Sequence, residues 1–125
     1  IALLSDLRIN FDNTALLLDQ MGRDEEERAA TESALRVLER LAELQPEDGA
    51  AQNNAAWRRC HDLHFCDEQA LSYARRAVKL RPEHAGTLDT LGYVLCKTDR
   101  VTESREVYAQ ACKAGLKDAC ENPCK

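Results

Sequence analysis

Leu88-Asp89-Thr90-Leu91-Gly92-Tyr93-Val94-Leu95, followed by Ser104-Arg105-Glu106-Val107-Tyr108-Ala109-Gln110-Ala111, is the stretch whose spacing decides the fold. Leu88, Leu91 and Leu95 recur at helical spacing and share one face. Gly92 lies inside that helix, where a Gly costs about 1 kcal/mol against Ala. A packing reason is therefore expected: with no side chain there, a neighbouring helix can come close. Val101, Arg105, Tyr108, Ala111 and Cys112 mark the facing stripe of a second helix. Between them Lys97-Thr98-Asp99-Arg100 is a short polar turn, so the two helices must run antiparallel. Such a hairpin leaves one side apolar and needs a neighbour to cover it.

Composition agrees. A chain of 125 residues is one domain by length and long enough to bury a core. Ala, Leu, Glu and Arg favour helix, and no β-branched run alternates with period two, so the expected class is all-α with no strand. The formal net charge of −5 argues against a nucleic-acid surface, and no apolar run is long enough to span a membrane. The chain opens at Ile1, as expected of a fragment or of a mature chain whose leader has been removed.

The pattern Leu88-x-x-Leu91-Gly92-x-x-Leu95 … Ser104-x-x-x-Tyr108-x-x-Ala111 resembles the tetratricopeptide repeat, a helix–turn–helix unit of about 34 residues. One such period upstream, Asn54, Trp57, Arg58 and His61 fall under Leu88, Leu91, Gly92 and Leu95. Ala70, Ala74 and Ala77 fall under Ser104, Tyr108 and Ala111, and Pro82 closes the unit where the family has its Pro. Arg58, His61 and Ala74 depart from the family's small, aromatic and large aromatic residues, with Trp57 expected to fill the space left by Ala74. The resemblance implies a right-handed α-solenoid of about three antiparallel hairpins. The units are residues 1–48, 49–82 and 83–115, the first elongated, with a short C-terminal cap at 116–125.

In chain order, Ile1–Met21 reads as one amphipathic helix with Gly22 after it. Asp24-Glu25-Glu26-Glu27 is an acidic helix start, with Asp24 and Glu27 at capping-box spacing. Helix runs from there to Leu44, with Ala30, Ala34, Val37, Leu38, Leu41 and Leu44 inward. Ala34-x-x-x-Leu38-x-x-Leu41 matches the repeat's second helix. The turn His61-Asp62-Leu63-His64-Phe65-Cys66-Asp67 is the least ordinary loop. Arg75, Arg76, Lys79 and Arg81 place positive charge at a helix end, where it suits the dipole. Gly115-Leu116 reads as a helix stop, and residues 117–125 as the start of a short further helix.

Six cysteines at this density point to an oxidising compartment. Cys112 and Cys120 flank Gly115. Their spacing resembles the cysteine-rich, disulfide-stapled helical repeats of secreted bacterial proteins, which implies a bridge tying one unit to the next. Cys60 and Cys66 flank the unusual turn and can staple it. Cys96 and Cys124 remain, on first helices of adjacent units. Spacing alone leaves other pairings open, and a reduced protein with Cys96 and Cys112 as core residues stays an alternative. The expected location is periplasmic or secreted, or cytoplasmic if the cysteines are reduced.

Cys60-His61-x-x-His64-x-Cys66 also places four candidate metal ligands together, so a metal or redox module is the alternative function. No phosphate loop, nucleophile elbow or metalloprotease His pair is present, so neither catalysis nor a cofactor is expected. The resemblance implies a non-catalytic scaffold that binds a protein or peptide on its concave face. Carried over by position, that face comprises Gln52, Ala55, Arg59 and Asp62, then Asp89, Tyr93, Cys96 and Lys97, with Asp12, Leu16 and Asp19 from the first unit. Tyr93 is its aromatic anchor. The family's paired Asn and Lys clamp for a C-terminal carboxylate is missing, which favours an extended peptide or a helix as ligand. Self-association through Ile1–Leu44 is a further expectation.

Overall fold

The computed structural model describes residues 24–121 together with Arg8, Asp12 and Cys124. Its elements are α1 (Asp24–Leu44), α2 (Gly49–Trp57) running on into a π-helical turn (Arg58–Asp62), α3 (Glu68–Leu80), α4 (Ala85–Lys97), α5 (Val101–Lys113) and a 3-10 turn (Lys117–Glu121). The described residues are all-helical, with no strand among them. Of the expected helix Ile1–Met21, only Arg8 and Asp12 are described; both are helical. The rest of that segment, about half of the expected self-association surface Ile1–Leu44, lies outside the described residues. Residues 117–121 form a 3-10 turn where a new α-helix was expected to begin.

The helices start and stop for local reasons. Asp48 caps α2, its carboxylate accepting from the Ala50 and Ala51 N–H groups at 3.0 and 3.2 Å. Asp67 caps α3 through the Ala70 N–H, and His84 caps α4 through the Thr87 N–H. At the end of α5, Gly115 has φ 111°, and the Gly115 and Leu116 N–H groups donate to the Cys112 and Ala111 carbonyls. That is a Schellman stop with Gly at the left-handed position. The end of α4 has the same two bonds, from Asp99 to Cys96 and from Arg100 to Leu95, with Asp99 at φ 62°. Asp tolerates this conformation better than most residues.

α1 packs on α2, α2 on both α3 and α4, α3 on α4, and α4 on α5, which carries the 3-10 turn. One apolar core runs from Ala42 through Ala55, Ala74, Leu88 and Tyr108 to Cys124. The close approach expected at Gly92 is present: a Cβ built there would lie 2.9 Å from the Tyr108 ring. The buried Ser104 hydroxyl donates to the Gly92 carbonyl at 2.7 Å, closing the same contact.

Two expectations are corrected. Leu44, expected inward, is 44% exposed, while Leu35 and Ala42 are buried. The register of α2 also differs from the one counted back by a fixed period. α2 begins at Gly49 and α4 at Ala85, capped by Asp48 and His84, so the first helices correspond at thirty-six residues. Pro46 and Pro82 keep the same spacing. Gln52, Ala55 and Ala56 are therefore the counterparts of Leu88, Leu91 and Gly92, and all six are buried. Asn54 and His61 are exposed, and Trp57 is only partly buried, so it does not fill the core beside Ala74. The small residue facing α3 is Ala56, not Arg58. The second helices keep the shorter spacing: Ala70, Ala74 and Ala77 match Ser104, Tyr108 and Ala111 in burial. The two extra residues of the α2–α3 hairpin lie in its turn, where the helix widens to a π-turn.

Candidate functional site

The widened turn builds the most distinctive surface of the molecule. Trp57 and His61 stack with ring centroids 4.2 Å apart and planes 11° from parallel. The Tyr93 ring of α4 closes on both, at 5.1 Å from Trp57 and 5.4 Å from His61. Lys97, one turn further along α4, holds its ammonium 5.6 Å from the Tyr93 centroid, a cation–π contact. His61 Nδ1 donates to Asp62 Oδ1 at 2.7 Å, which orients the ring. Arg58 bridges two carboxylates, Asp12 at 2.8 Å and Asp62 at 3.1 Å.

These residues border an open cavity of about 520 Å³ lined by Asp12, Glu27, Thr31, Arg58, His61, Asp62, His64 and Tyr93. A second cavity of about 270 Å³ shares Glu27, Thr31 and Asp62 and extends the first along α1 past Arg28 and Leu63. Together they form one groove between α1 and the widened turn, ending at Tyr93. Its walls mix both charges with aromatic faces.

The loop that carries this wall is tied at several points. Cys60 and Cys66 are joined, with Cα atoms 4.2 Å apart. Leu63 is buried beneath the loop, and the Arg28 guanidinium donates to its carbonyl at 3.4 Å. His64 turns the chain at φ 60°, and Phe65 N–H donates to the Arg59 carbonyl at 2.8 Å. Arg59 grips Asp67 through two hydrogen bonds of 3.0 and 2.7 Å and reaches Glu39 of α1 at 3.2 Å. The Asp67 hydrogen bond holds the Arg59 guanidinium above its ordinary range, and the same bond holds the Asp67 carboxyl below its own.

The residues expected on the concave face separate into groups. Asp62 and Tyr93 line the groove, and Lys97 sits at its end over Tyr93. Asp12 lines it too; Leu16 and Asp19 lie outside the described residues. Gln52 is not a surface residue: it is 0% exposed, its amide donating to the Ala42 carbonyl at 2.9 Å and accepting from Arg76 at 3.2 Å. It satisfies the end of α1, and Ala55 is equally buried. Arg59 belongs to the loop clamp. Asp89 is half-buried on α4; burial, then the Asp118 carboxylate, push its carboxyl up. Cys96 is bonded to Cys124, and Cys112 to Cys120, with Cα separations of 5.7 and 4.9 Å.

The four-ligand metal set does not assemble. Cys60 and Cys66 are bonded to each other, so neither is a thiolate, and His61 is held in the stack by Trp57 and Asp62. Among the described residues no His, Cys, Asp and Glu group of three or more is gathered for a metal ion. Arg58, Glu27 and Thr31 line the groove though spacing did not place them on a binding face, and Trp57 adjoins it through its stack on His61. Trp57 stands at the position equivalent to Tyr93 once the longer spacing is used, and that was the available signal.

Among known proteins, no family model and no curated sequence matches the chain. Among the described residues no helix is long and apolar enough to cross a membrane.

Proposed function

We propose that the chain is a non-catalytic protein–protein interaction scaffold, built as a tetratricopeptide-like stack of hairpins, that holds an extended peptide segment of a partner. The carrying observation is the groove between α1 and the widened turn. There the Trp57–His61–Tyr93 ring cluster stands beside ion-paired polar walls. Aromatic side chains with a partly exposed face contribute most per residue to peptide contacts. The paired charges on either side can exchange partners with a peptide backbone or side chain. The repetition of burial along α1 and α3 supports the stack. Ala34, Leu35, Val37, Leu38 and Leu41 are buried as Ala70, Leu71, Tyr73, Ala74 and Ala77 are. Three disulfide pairs and the absence of any membrane-spanning helix among the described residues support an exported, non-membrane location.

The test is selection of peptides from a random library on the oxidised protein, followed by affinity measurement. Selected peptides are expected to lose at least about tenfold in affinity on the Trp57→Ala/Tyr93→Ala double variant, a hot-spot loss. Equal binding to both proteins would place recognition elsewhere.

A further inference from the structure

We propose that the Cys60–Cys66 bridge is a redox latch on the groove: a dithiol reductant opens it, and the groove loses its shape while the helices stay folded. This names a regulation of the site proposed above and rests on that reading. Four of the eight residues that line the larger cavity, Arg58, His61, Asp62 and His64, lie in or beside the segment that this bridge closes. The same segment holds the two extra residues that the α4–α5 hairpin lacks. The bridge is the one covalent tie of the segment. The π-turn and the left-handed His64 otherwise rest on non-covalent contacts: the Leu63 and Phe65 N–H bonds to the Arg58 and Arg59 carbonyls, Arg28 on the Leu63 carbonyl and the Trp57–His61 stack.

The other two bridges are placed differently. Cys96–Cys124 ties the C-terminal segment into the core, and Cys112–Cys120 ties α5 to the 3-10 turn across Gly115. Neither touches the groove lining. The base of the Cys60–Cys66 loop keeps its own anchors when the sulfurs part. Arg59 remains on Asp67 and Glu39, and Leu63 remains buried. Opening the bridge therefore loosens the loop's wall, leaving non-covalent contacts, its ion pairs and ring stack among them, to hold it, without freeing α2 or α3.

The chemistry is ordinary exchange. Cys60 is fully buried and Cys66 is only partly buried, so Cys66 Sγ is the more accessible sulfur and a thiolate of the dithiol attacks it. The Cys60–Cys66 bond breaks, and Cys60 leaves as a thiolate. The second thiol of the reagent then attacks its own sulfur in the mixed disulfide and releases Cys66. The reagent ends as its internal disulfide, and two electrons and two protons end on Cys60 and Cys66. The reduced Cys66 thiol has an acceptor waiting, since its Sγ lies 3.1 Å from the Cys60 carbonyl oxygen.

Trp57 is the single tryptophan of the chain and stacks on His61, so its emission reads the latch directly. The experiment adds dithiothreitol to the oxidised full chain and follows Trp57 emission and far-UV circular dichroism. Alkylation and peptide mapping show which bridges have opened. The expected result is a reversible red shift of emission with helix content unchanged. The Cys112→Ser/Cys120→Ser chain should show the same shift. The Cys60→Ala/Cys66→Ser chain should emit like the reduced protein from the outset and ignore the reductant. Unchanged emission after mapping shows Cys60 and Cys66 reduced would overturn the latch. So would loss of helix in step with reduction, or a Cys60→Ala/Cys66→Ser chain that does not fold, since the bridge would then be a structural staple. No peptide is present in this measurement, so its failure leaves the groove's binding role to be judged by the selection experiment alone.

Discussion

The α2–α3 and α4–α5 hairpins solve the same packing problem with opposite means. In α4–α5, a large ring meets a missing side chain: Tyr108 lies against Gly92, and Ser104 bonds the carbonyl there. Its turn is three residues long and stops in a Schellman bond pair. In α2–α3, the same positions are Ala56, Ala74 and Ala70, all fully buried, so small residues meet small residues. Its turn is longer, π-helical and bridged by sulfur. The first arrangement puts its large ring into the core. The second moves its aromatic, Trp57, out of the core and onto a surface where Tyr93 of the neighbouring hairpin meets it. The groove proposed as the binding site lies where the two hairpins differ most.

The largest effect is expected at the ring. Tyr108→Ala should cost about 3–5 kcal/mol in denaturant unfolding, as for other buried aromatics. Gly92→Ala should destabilise the wild-type chain by about 1 kcal/mol, because overpacking against a buried ring outweighs the gain in helix propensity. In the Tyr108→Ala background the same change should become stabilising by a similar amount, since the pair then copies Ala56 and Ala74. Additive effects would show that Gly92 and Tyr108 are not the coupled pair.

Gln52 marks a second difference between the hairpins. Its counterpart Leu88 is apolar, yet Gln52 serves the Ala42 carbonyl and Arg76. Gln52→Leu should cost about 1–3 kcal/mol by leaving a buried carbonyl unpaired. Peptide affinity of the folded protein should be unchanged; a large affinity loss with normal stability would return Gln52 to the binding face.

How much of this was legible in the sequence follows from which side chains carry information. The leucine stripe of α4, the Gly115 stop and the apolar face of α1 were readable because large apolar residues and a Gly each permit few environments. α2, with the sequence Gly-Ala-Ala-Gln-Asn-Asn-Ala-Ala-Trp, has no such stripe. A fixed period therefore slid its register by two residues and turned Gln52 outward. The repeated Leu-x-Pro-Glu at Leu44 and Leu80 held the true spacing. Leu44 was misjudged for a related reason: helical spacing continues to the last residue, but the packing partner does not. Asp62 and Tyr93 line the cavity, and Lys97 lies over the Tyr93 ring, at positions that depend little on that slip. The groove itself, made by Trp57 stacking on His61 across from α1, depends on a three-dimensional meeting that spacing does not encode.

Two smaller effects test the turns. Asp67 is held below its ordinary pKa by Arg59, so its contribution is full above the ordinary carboxylate range and is lost as pH falls through the depressed value. Both partners reach solvent, so the contribution should stay below about 1 kcal/mol. Asp67→Asn should flatten the fall of Tm between about pH 5 and pH 2; an unchanged slope would remove the clamp from the account. Asp99→Gly should stabilise the α4–α5 turn by about 0.5 kcal/mol, because Gly takes the left-handed position without strain. A lower Tm would mean that the Asp99 side chain contributes more than its backbone costs.

The most direct measurement is an NMR titration of the isotope-labelled oxidised chain with a library-selected peptide. The account predicts that the largest shifts fall on the Trp57 indole N–H, on Arg58–His64, on Glu27 and Thr31 of α1, and on Tyr93. Shifts centred instead on α5 and the 3-10 turn, with the Trp57 indole unmoved, would contradict it.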